Sequence, residues 1–413
     1  MSKPIRVGVV GVGRGQSFAA GATEAVGMQL VALCDTAEAR LAEAGKQWGV
    51  ATYTDYERFL EHDMDAVVLA NYFHQHAPLA IRALDADKHV MSETTAAKTL
   101  AECAALCRTV ERSGRTYMFA ENYPYSVAGQ ELRRLYQAGE VGPVRYAEGE
   151  YNHPGEERWR LAISPGLNHW RNWMPCTYYC SHALAPLMCI TDEMPARVNA
   201  LAISEEASQS PNTVKVADAG SVILIRTVGG AVFRLWGLTM GSIHRVRYEL
   251  HGERGMIATA EPDHWSTIRR HAEEWMRRPG EPNDITYRPD WPEHGDLARA
   301  SGHGGGDFWT SFHFANAIRA GGQPYLDVYR GAAMSAVGIL AWRSCLADGA
   351  PQAVPDFRDE EARKAVEADH WSPFPEDAAP GQPPPSIRGL IQPGAEAVAH
   401  AREVWGAHGH TRA

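Results

Sequence analysis

Long apolar runs, an excess of positive charge and a paired-cysteine pattern are all missing from this sequence, and each absence removes a class of function. No stretch approaches the roughly 18 consecutive apolar residues that a membrane-crossing helix needs. Lys and Arg total 40 against 50 Asp and Glu, for a formal net charge of −10, so there is no basic excess to recruit nucleic acid or an anionic membrane. The 7 cysteines are an odd number scattered along the chain. Cys103/Cys107 and Cys176/Cys180 are spaced by four, which places each pair on one face of a helix, and none has the CxxC…CxxC spacing of a structural zinc site. The 18 histidines form no HxH or HExxH motif flanked by carboxylates. Met1-Ser2-Lys3-Pro4 runs directly into an apolar segment, leaving no room for a signal peptide. These absences predict a cytoplasmic chain with reduced thiols, no metal, no nucleic-acid partner and no membrane association.

What is present is a 413-residue chain, 45% hydrophobic and 22% charged, long enough for two or three domains. Ile5–Val10, Gln29–Leu33, Asp65–Ala70, His89–Met91 and Thr116–Phe119 read as short buried strands. Helical spacing lies between them, over Thr36–Gln47, Ala77–Ala86 and Leu100–Ser113. That alternation predicts a parallel, doubly wound α/β domain over residues 1–125. The texture then changes. Val144–Tyr151, Arg197–Ile203, Ser221–Thr227, Ala231–Trp236 and Arg245–His251 alternate or favour β-formers, with Gly229-Gly230 as a hairpin turn. An α+β domain over 126–372, with an open, mostly antiparallel sheet, is expected. Residues 262–306 show no clear period, and Phe308–Ala320 and Val328–Ala347 read as helices returning to pack on the first domain. A Pro-rich arm and tail fill 373–413, with a last helix over Ala395–Gly406 placed to dock on a neighbouring subunit and His408/His410 in a loose tail.

The first strand opens into Gly11-Val12-Gly13-Arg14-Gly15-Gln16. Glycines there allow a tight turn and a close approach of backbone N–H groups to a pyrophosphate. The third glycine of GxGxxG falls on Gln16, with Gly15 one position early. Asp35 ends the second strand about twenty residues on, where a carboxylate accepts from ribose hydroxyls and repels a 2′-phosphate. The expected cofactor is NAD, with Asn71 at the end of the next strand joining the set.

Asp65-Ala-Val-Val-Leu-Ala70, His76 and Ala86-Asp-Lys-His-Val90 resemble the corresponding run of the glucose-fructose oxidoreductase/inositol dehydrogenase (Gfo/Idh/MocA) superfamily. Ser92-Glu93-Thr94-Thr95 stands where those dehydrogenases carry Glu-Lys-Pro, so threonine replaces the lysine. The segments Met118–Tyr125, Glu148–His153, Tyr179–Pro186, Gly302–Phe308, Asp327–Tyr329 and Val354–Phe357 resemble the NAD-dependent α-N-acetylgalactosaminidase-like glycoside hydrolase branch, which also lacks that lysine. The resemblance implies that Glu93, Thr94, Asn122 and His76 lie near the nicotinamide half of the cofactor. It also implies that Tyr179 and His182 line the reactive face, and that His303 sits in the branch's glycine-rich loop. The superfamily's Asp-x-x-x-His becomes Tyr178-x-x-x-His182, so the usual carboxylate partner is missing.

With the lysine gone, His182 is the candidate base, since an imidazole titrates near working pH. Tyr179, three residues earlier, is the candidate acid or base, the latter if its pKa is depressed. Tyr125, His153, Arg158, Trp170, Arg171 and His303 are the candidate sugar contacts, by stacking and hydrogen bonding. Three readings stay open: redox-neutral glycoside cleavage by oxidation, elimination, hydration and reduction; a plain NAD-dependent sugar or polyol dehydrogenase; and a non-catalytic NAD- or sugar-binding regulator. A homo-oligomer is expected from the open sheet.

Overall fold

The computed structural model describes residues 3–204, 213–238 and 243–410. Six short strands, β1 (Ile5–Val10), β2 (Met28–Cys34), β3 (Ala51–Tyr53), β4 (Ala66–Leu69), β5 (His89–Ser92) and β6 (Tyr117–Phe119), form a parallel sheet in the order β3-β2-β1-β4-β5-β6. Strands β1 and β4 are apolar at nearly every position because helices cover both faces of the sheet. Order reverses between β1 and β4, so a crevice opens at their carboxyl ends. Strand β3 was not anticipated; three residues at a sheet edge carry too little pattern to be read.

The second sheet has nine strands: β7 (Val144–Asn152), β8 (Pro195–Ile203), β9 (Gly220–Thr227), β10 (Val232–Leu238), β11 (Arg245–Gly252), β12 (Gly255–Thr259), β13 (Ile268–His271), β14 (Asp284–Tyr287) and β15 (Gln352–Ala353). Their order is β14-β13-β12-β11-β7-β10-β9-β8-β15, antiparallel throughout except for the β7–β10 pair. The β9–β10 hairpin turns at Gly229-Gly230 as expected, with Gly230 at φ +90°. The aperiodic stretch 262–306 resolves into β13, β14 and the short helix Gly295–Arg299, each too brief to impose a period.

Two helices join the domains. Ser181–Thr191 is buried at every position and lies against β7, where a Cβ on Gly149 would stand 2.0 Å from the Ala183 carbonyl oxygen. Val328–Leu346 packs on the helix Leu100–Ser113 and on β6 from the first domain, and on β8 from the second. One continuous apolar core runs through both domains as a result.

The Pro-rich arm is extended but anchored. Phe374 is buried, Trp342 donates to the Pro384 carbonyl at 3.0 Å, and Ser386 donates to Asp218 at 2.8 Å. The last helix, Ala395–Ala407, docks on its own chain against the helix Glu157–Ala162 rather than awaiting a neighbour. His408 and His410 are likewise placed, at and just beyond its end.

Candidate active site

A cavity of about 930 Å³ lies at the carboxyl ends of β1, β2 and β4 and extends to the second domain. Its lining includes Gly11, Gly13, Arg14, Asp35 and Asn71 from the first domain and Tyr151, His153, Trp170, Arg171, Tyr179 and His303 from the second. Each glycine of the loop has a separate reason to be glycine. Gly11 has φ +92°, and a Cβ there would stand 2.6 Å from the Ala70 carbonyl oxygen. Gly15 allows the first helix to approach β1, since its Cβ would stand 2.7 Å from Val9 Cγ1. Gly13 has open space where a Cβ would go, leaving the backbone bare toward the cavity. Asp35 accepts from the amides of Val12 and Ala37, both at 2.8 Å, which fixes its carboxylate beside the loop. A bare loop backbone, a carboxylate at the second strand and a long cavity between them fit a dinucleotide. Gln16 is outside this set: its side-chain oxygen accepts from Trp48 Nε1 at 2.7 Å, bracing the second helix of the domain.

Arg14 begins a polar chain across the domain junction. Its Nε donates to Glu93 at 2.6 Å, and its terminal nitrogens clasp both oxygens of Asp307 at 2.7 and 3.0 Å. Asn122 Nδ2 donates to the same carboxylate at 2.9 Å, and His303 Nδ1 lies 3.0 Å from it. Burial works against a charged Asp307, yet His303 and Arg14 hold its carboxyl well below the usual range. The Thr94 amide donates to Glu93 at 3.0 Å, and the Thr94–Thr95 peptide is cis. Asp307, inside the Gly302–Phe308 segment, thus gathers Arg14, Asn122 and His303, and Arg14 extends the chain to Glu93 and Thr94.

His182 stands deeper. Its Nδ1 lies 2.8 and 2.9 Å from the two oxygens of Glu121, a fully buried carboxylate just after β6. Three tyrosine rings enclose the imidazole, with centroids at 4.4 Å (Tyr123), 4.7 Å (Tyr151) and 4.9 Å (Tyr179). The carboxylate partner missing at Tyr178 is therefore supplied by Glu121, while Tyr178 is buried elsewhere and donates to the Lys98 carbonyl at 3.2 Å. The sequence signal for Glu121 was a lone charge after the apolar run 117–120, beside Asn122. Burial raises the Tyr179 phenol above its ordinary range, although Arg171 opposes this. The condition for Tyr179 to act as a base is therefore not met, and a protonated phenol remains.

His182, Gly15, Gln16, Glu93, Thr94 and Asn122 stand behind the cavity's lining residues, and three further candidates, His76, Tyr125 and Arg158, are turned to other partners. His76 is buried with its nitrogens 2.9 Å from the Thr95 carbonyl and 3.3 Å from that of Asn71, and burial lowers its pKa, so it braces the loop as a neutral ring. Tyr125 is buried against His313, with ring centroids 4.8 Å apart. Arg158 points to Glu403 of the last helix at 3.7 Å, and Arg160 lines the cavity in its place. Trp170 carries the Arg171 guanidinium 4.3 Å over its ring, and His153 stacks on Trp159 at 5.8 Å. Among the described residues, no cluster of three or more His, Cys, Asp or Glu could hold a metal ion.

Residues 5–121 match the oxidoreductase family, NAD-binding Rossmann fold; residues 130–258 match the GFO/IDH/MocA C-terminal domain; and residues 224–363 match the glycosyl hydrolase 109 C-terminal domain. A glycosyl hydrolase family 109 protein of Solibacter usitatus is 30% identical over 86% of this chain and 88% of that protein. An alpha-N-acetylgalactosaminidase of Shewanella oneidensis is 28% identical over 86% of this chain and 85% of that enzyme. Among solved structures, an oxidoreductase domain protein from Kribbella flavida and a levoglucosan dehydrogenase in complex with NADH and L-sorbose each superpose with TM-score 0.73 at 20% identity. Each of those matches covers 86% of this chain and 100% of the other. The chain belongs to glycosyl hydrolase family 109, and its N-terminal domain is an NAD-binding Rossmann fold of the Gfo/Idh/MocA oxidoreductases.

Proposed function

We propose that this enzyme cleaves a glycoside with no net redox change, by oxidation, elimination, hydration and reduction at a sugar ring. The His182–Glu121 pair carries this reading: it is packed directly against Tyr151 and Tyr179, which line the same cavity as the glycine loop. Bound NAD would supply a reversible hydride sink, taking hydride from a ring carbinol and returning it within one turnover. The remaining chemistry is proton movement, and the chain's own groups fit it. Glu121 takes the Nδ1 proton of His182 in a hydrogen bond, which leaves the Nε2 lone pair as the base and stabilises the imidazolium once it forms. Nε2 takes the hydroxyl proton of the carbinol and releases it to water, and the freed lone pair then takes the C–H proton that a neighbouring ketone acidifies. Both transfers run in reverse as the double bond is hydrated and the ketone reduced. Tyr179, held protonated, gives its proton to the departing anomeric oxygen and recovers one from the water that adds. Such a cycle does not use the paired carboxylates of ordinary glycosidases. Thr94, in the place of the dehydrogenases' lysine, favours it over net oxidation.

Residues 1–125 would carry the cofactor on Gly11, Gly13, Arg14, Asp35, Asn71, Glu93, Thr94 and Asn122. Residues 126–372 would hold the sugar against His153, Trp170, Arg171 and His303. We place the enzyme in the cytoplasm, where its seven free thiols stay reduced, as a homo-oligomer paired through the open sheet. The test is a panel of nitrophenyl glycosides, led by the N-acetyl-α-galactosaminide, followed for nitrophenol and for nicotinamide absorbance together. Nitrophenol release without net NADH, lost in His182→Gln, is expected. NADH accumulation from free sugars with no nitrophenol would overturn the reading in favour of a dehydrogenase.

A further inference from the structure

The last helix, Ala395–Ala407, stands apart from the main core. It docks through its own apolar cluster, Ala397, Ala401, Val404 and Trp405 against Leu161 and Val214, with Trp405 Nε1 donating to the Leu161 carbonyl at 2.9 Å. Leu161 and Val214 themselves line the large cavity, so the helix rests directly on its wall. On the other side, Arg402 and Trp405 share a groove with Tyr72 and His169, and Tyr72 also lines the cavity beside Asp35 and Arg40. The chain then folds back. Gly409 has φ +80°, the His410 amide donates to the Trp405 carbonyl at 2.9 Å, and His410 enters the cavity wall that includes Asp35, Thr36, Ala37 and Arg40. Burial and the nearby Arg40 both keep its imidazole neutral. The arm lies beyond residue 363, where the matched C-terminal domain stops.

The geometry points to the C-terminal arm as the outer wall of the cofactor site, with His410 a contact of the adenosine half and the helix barring the dinucleotide's exit. This rests on assigning the glycine loop and Asp35 to NAD. The physical logic is a division of labour. A redox-neutral cycle gains nothing from releasing its cofactor, yet the cofactor must enter once. A wall held by a satellite cluster can open locally while the main core stays folded.

The experiment loads the full-length chain with NAD and follows its release by displacement with a fluorescent etheno-NAD. Ala401→Asp places a charge at a fully buried position of the docking face, and His410→Ala leaves the docking cluster intact. Ala401→Asp should speed release at least tenfold and His410→Ala about threefold, with the main thermal transition unchanged. NAD should slow tryptic cleavage after Arg402 several-fold. Gly13→Val separates the two claims, because its side chain enters open space and should abolish NAD binding in a folded protein. Wild-type binding by Gly13→Val would overturn the loop assignment. Loss of binding there, with wild-type release rates in both arm variants, would overturn the role of the arm alone.

Discussion

Replacing Glu121 by glutamine removes one charge and almost no volume. The carboxylate lies 2.8 Å from His182 Nδ1 with no exposed surface. At that separation, an effective dielectric near 20 gives a gross attraction of roughly 6 kcal/mol between carboxylate and imidazolium. Glutamine keeps a dipole and a hydrogen bond, and the carboxylate's lost hydration is recovered, so about half of that figure survives as net loss. Some 3–4 kcal/mol absent only while His182 carries its extra proton is a fall of about 10²–10³-fold in kcat. Glutamine also has an amide that can donate to Nδ1, favouring the tautomer in which Nε2 holds a hydrogen and cannot act as base. The assay is the initial rate of nitrophenol release at saturating glycoside, beside NAD affinity and thermal midpoint. The charge change is expected to leave NAD affinity within about twofold, because Glu121 does not line the cavity. A Glu121→Gln enzyme within threefold of wild-type kcat, next to an inactive His182→Gln, would refute the pairing as the source of basicity.

Gly149→Ala would push a methyl group into the Ala183 carbonyl 2.0 Å away. The neighbouring helix must shift, so we expect a loss of about 2–4 kcal/mol in stability by chemical denaturation, together with a fall in kcat larger than any change in NAD binding. Glu102 is pushed up to about 7, by burial first, with Lys98 opposing. Because its folded pKa is raised, the stability it contributes is complete below about pH 4.5 and fades as pH rises through about 7, up to about 3 kcal/mol in all. Glu102→Gln should therefore flatten the thermal midpoint between pH 5 and 8 and raise it at pH 8; an unchanged profile would count against a neutral Glu102.

The parts of this enzyme legible in sequence are those fixed by local backbone demands. Gly11 and Gly15 are glycines because a strand, a turn and a helix collide there, and Asp35 follows from strand length. The buried runs of β1 and β4 announced a parallel sheet because both their faces are covered. What escaped was decided over long range. Glu121 and His182 are 61 residues apart and Arg14 and Asp307 are 293 apart, so no spacing rule links them. His76, Tyr125 and Arg158 sit in or beside suggestive motifs, but a residue's type does not reveal which way its side chain faces. Strands β13 and β14, four residues each, are too short to display alternation. The last helix was readable as a helix, though nothing in its pattern named Leu161 as its seat.

The His182–Glu121 contact has a meaning for assembly of the chain as well as for chemistry. Glu121 follows the last strand of the first sheet, and its histidine comes from a helix packed on the second. A chain whose halves meet in the wrong register would bury that carboxylate with no counterpart, at a cost of several kcal/mol. Arg14 and Asp307 impose the same condition at a second point of the seam. The pairing that makes the enzyme competent thus also proofreads its own construction: a misjoined molecule is an unstable one before it is an inactive one.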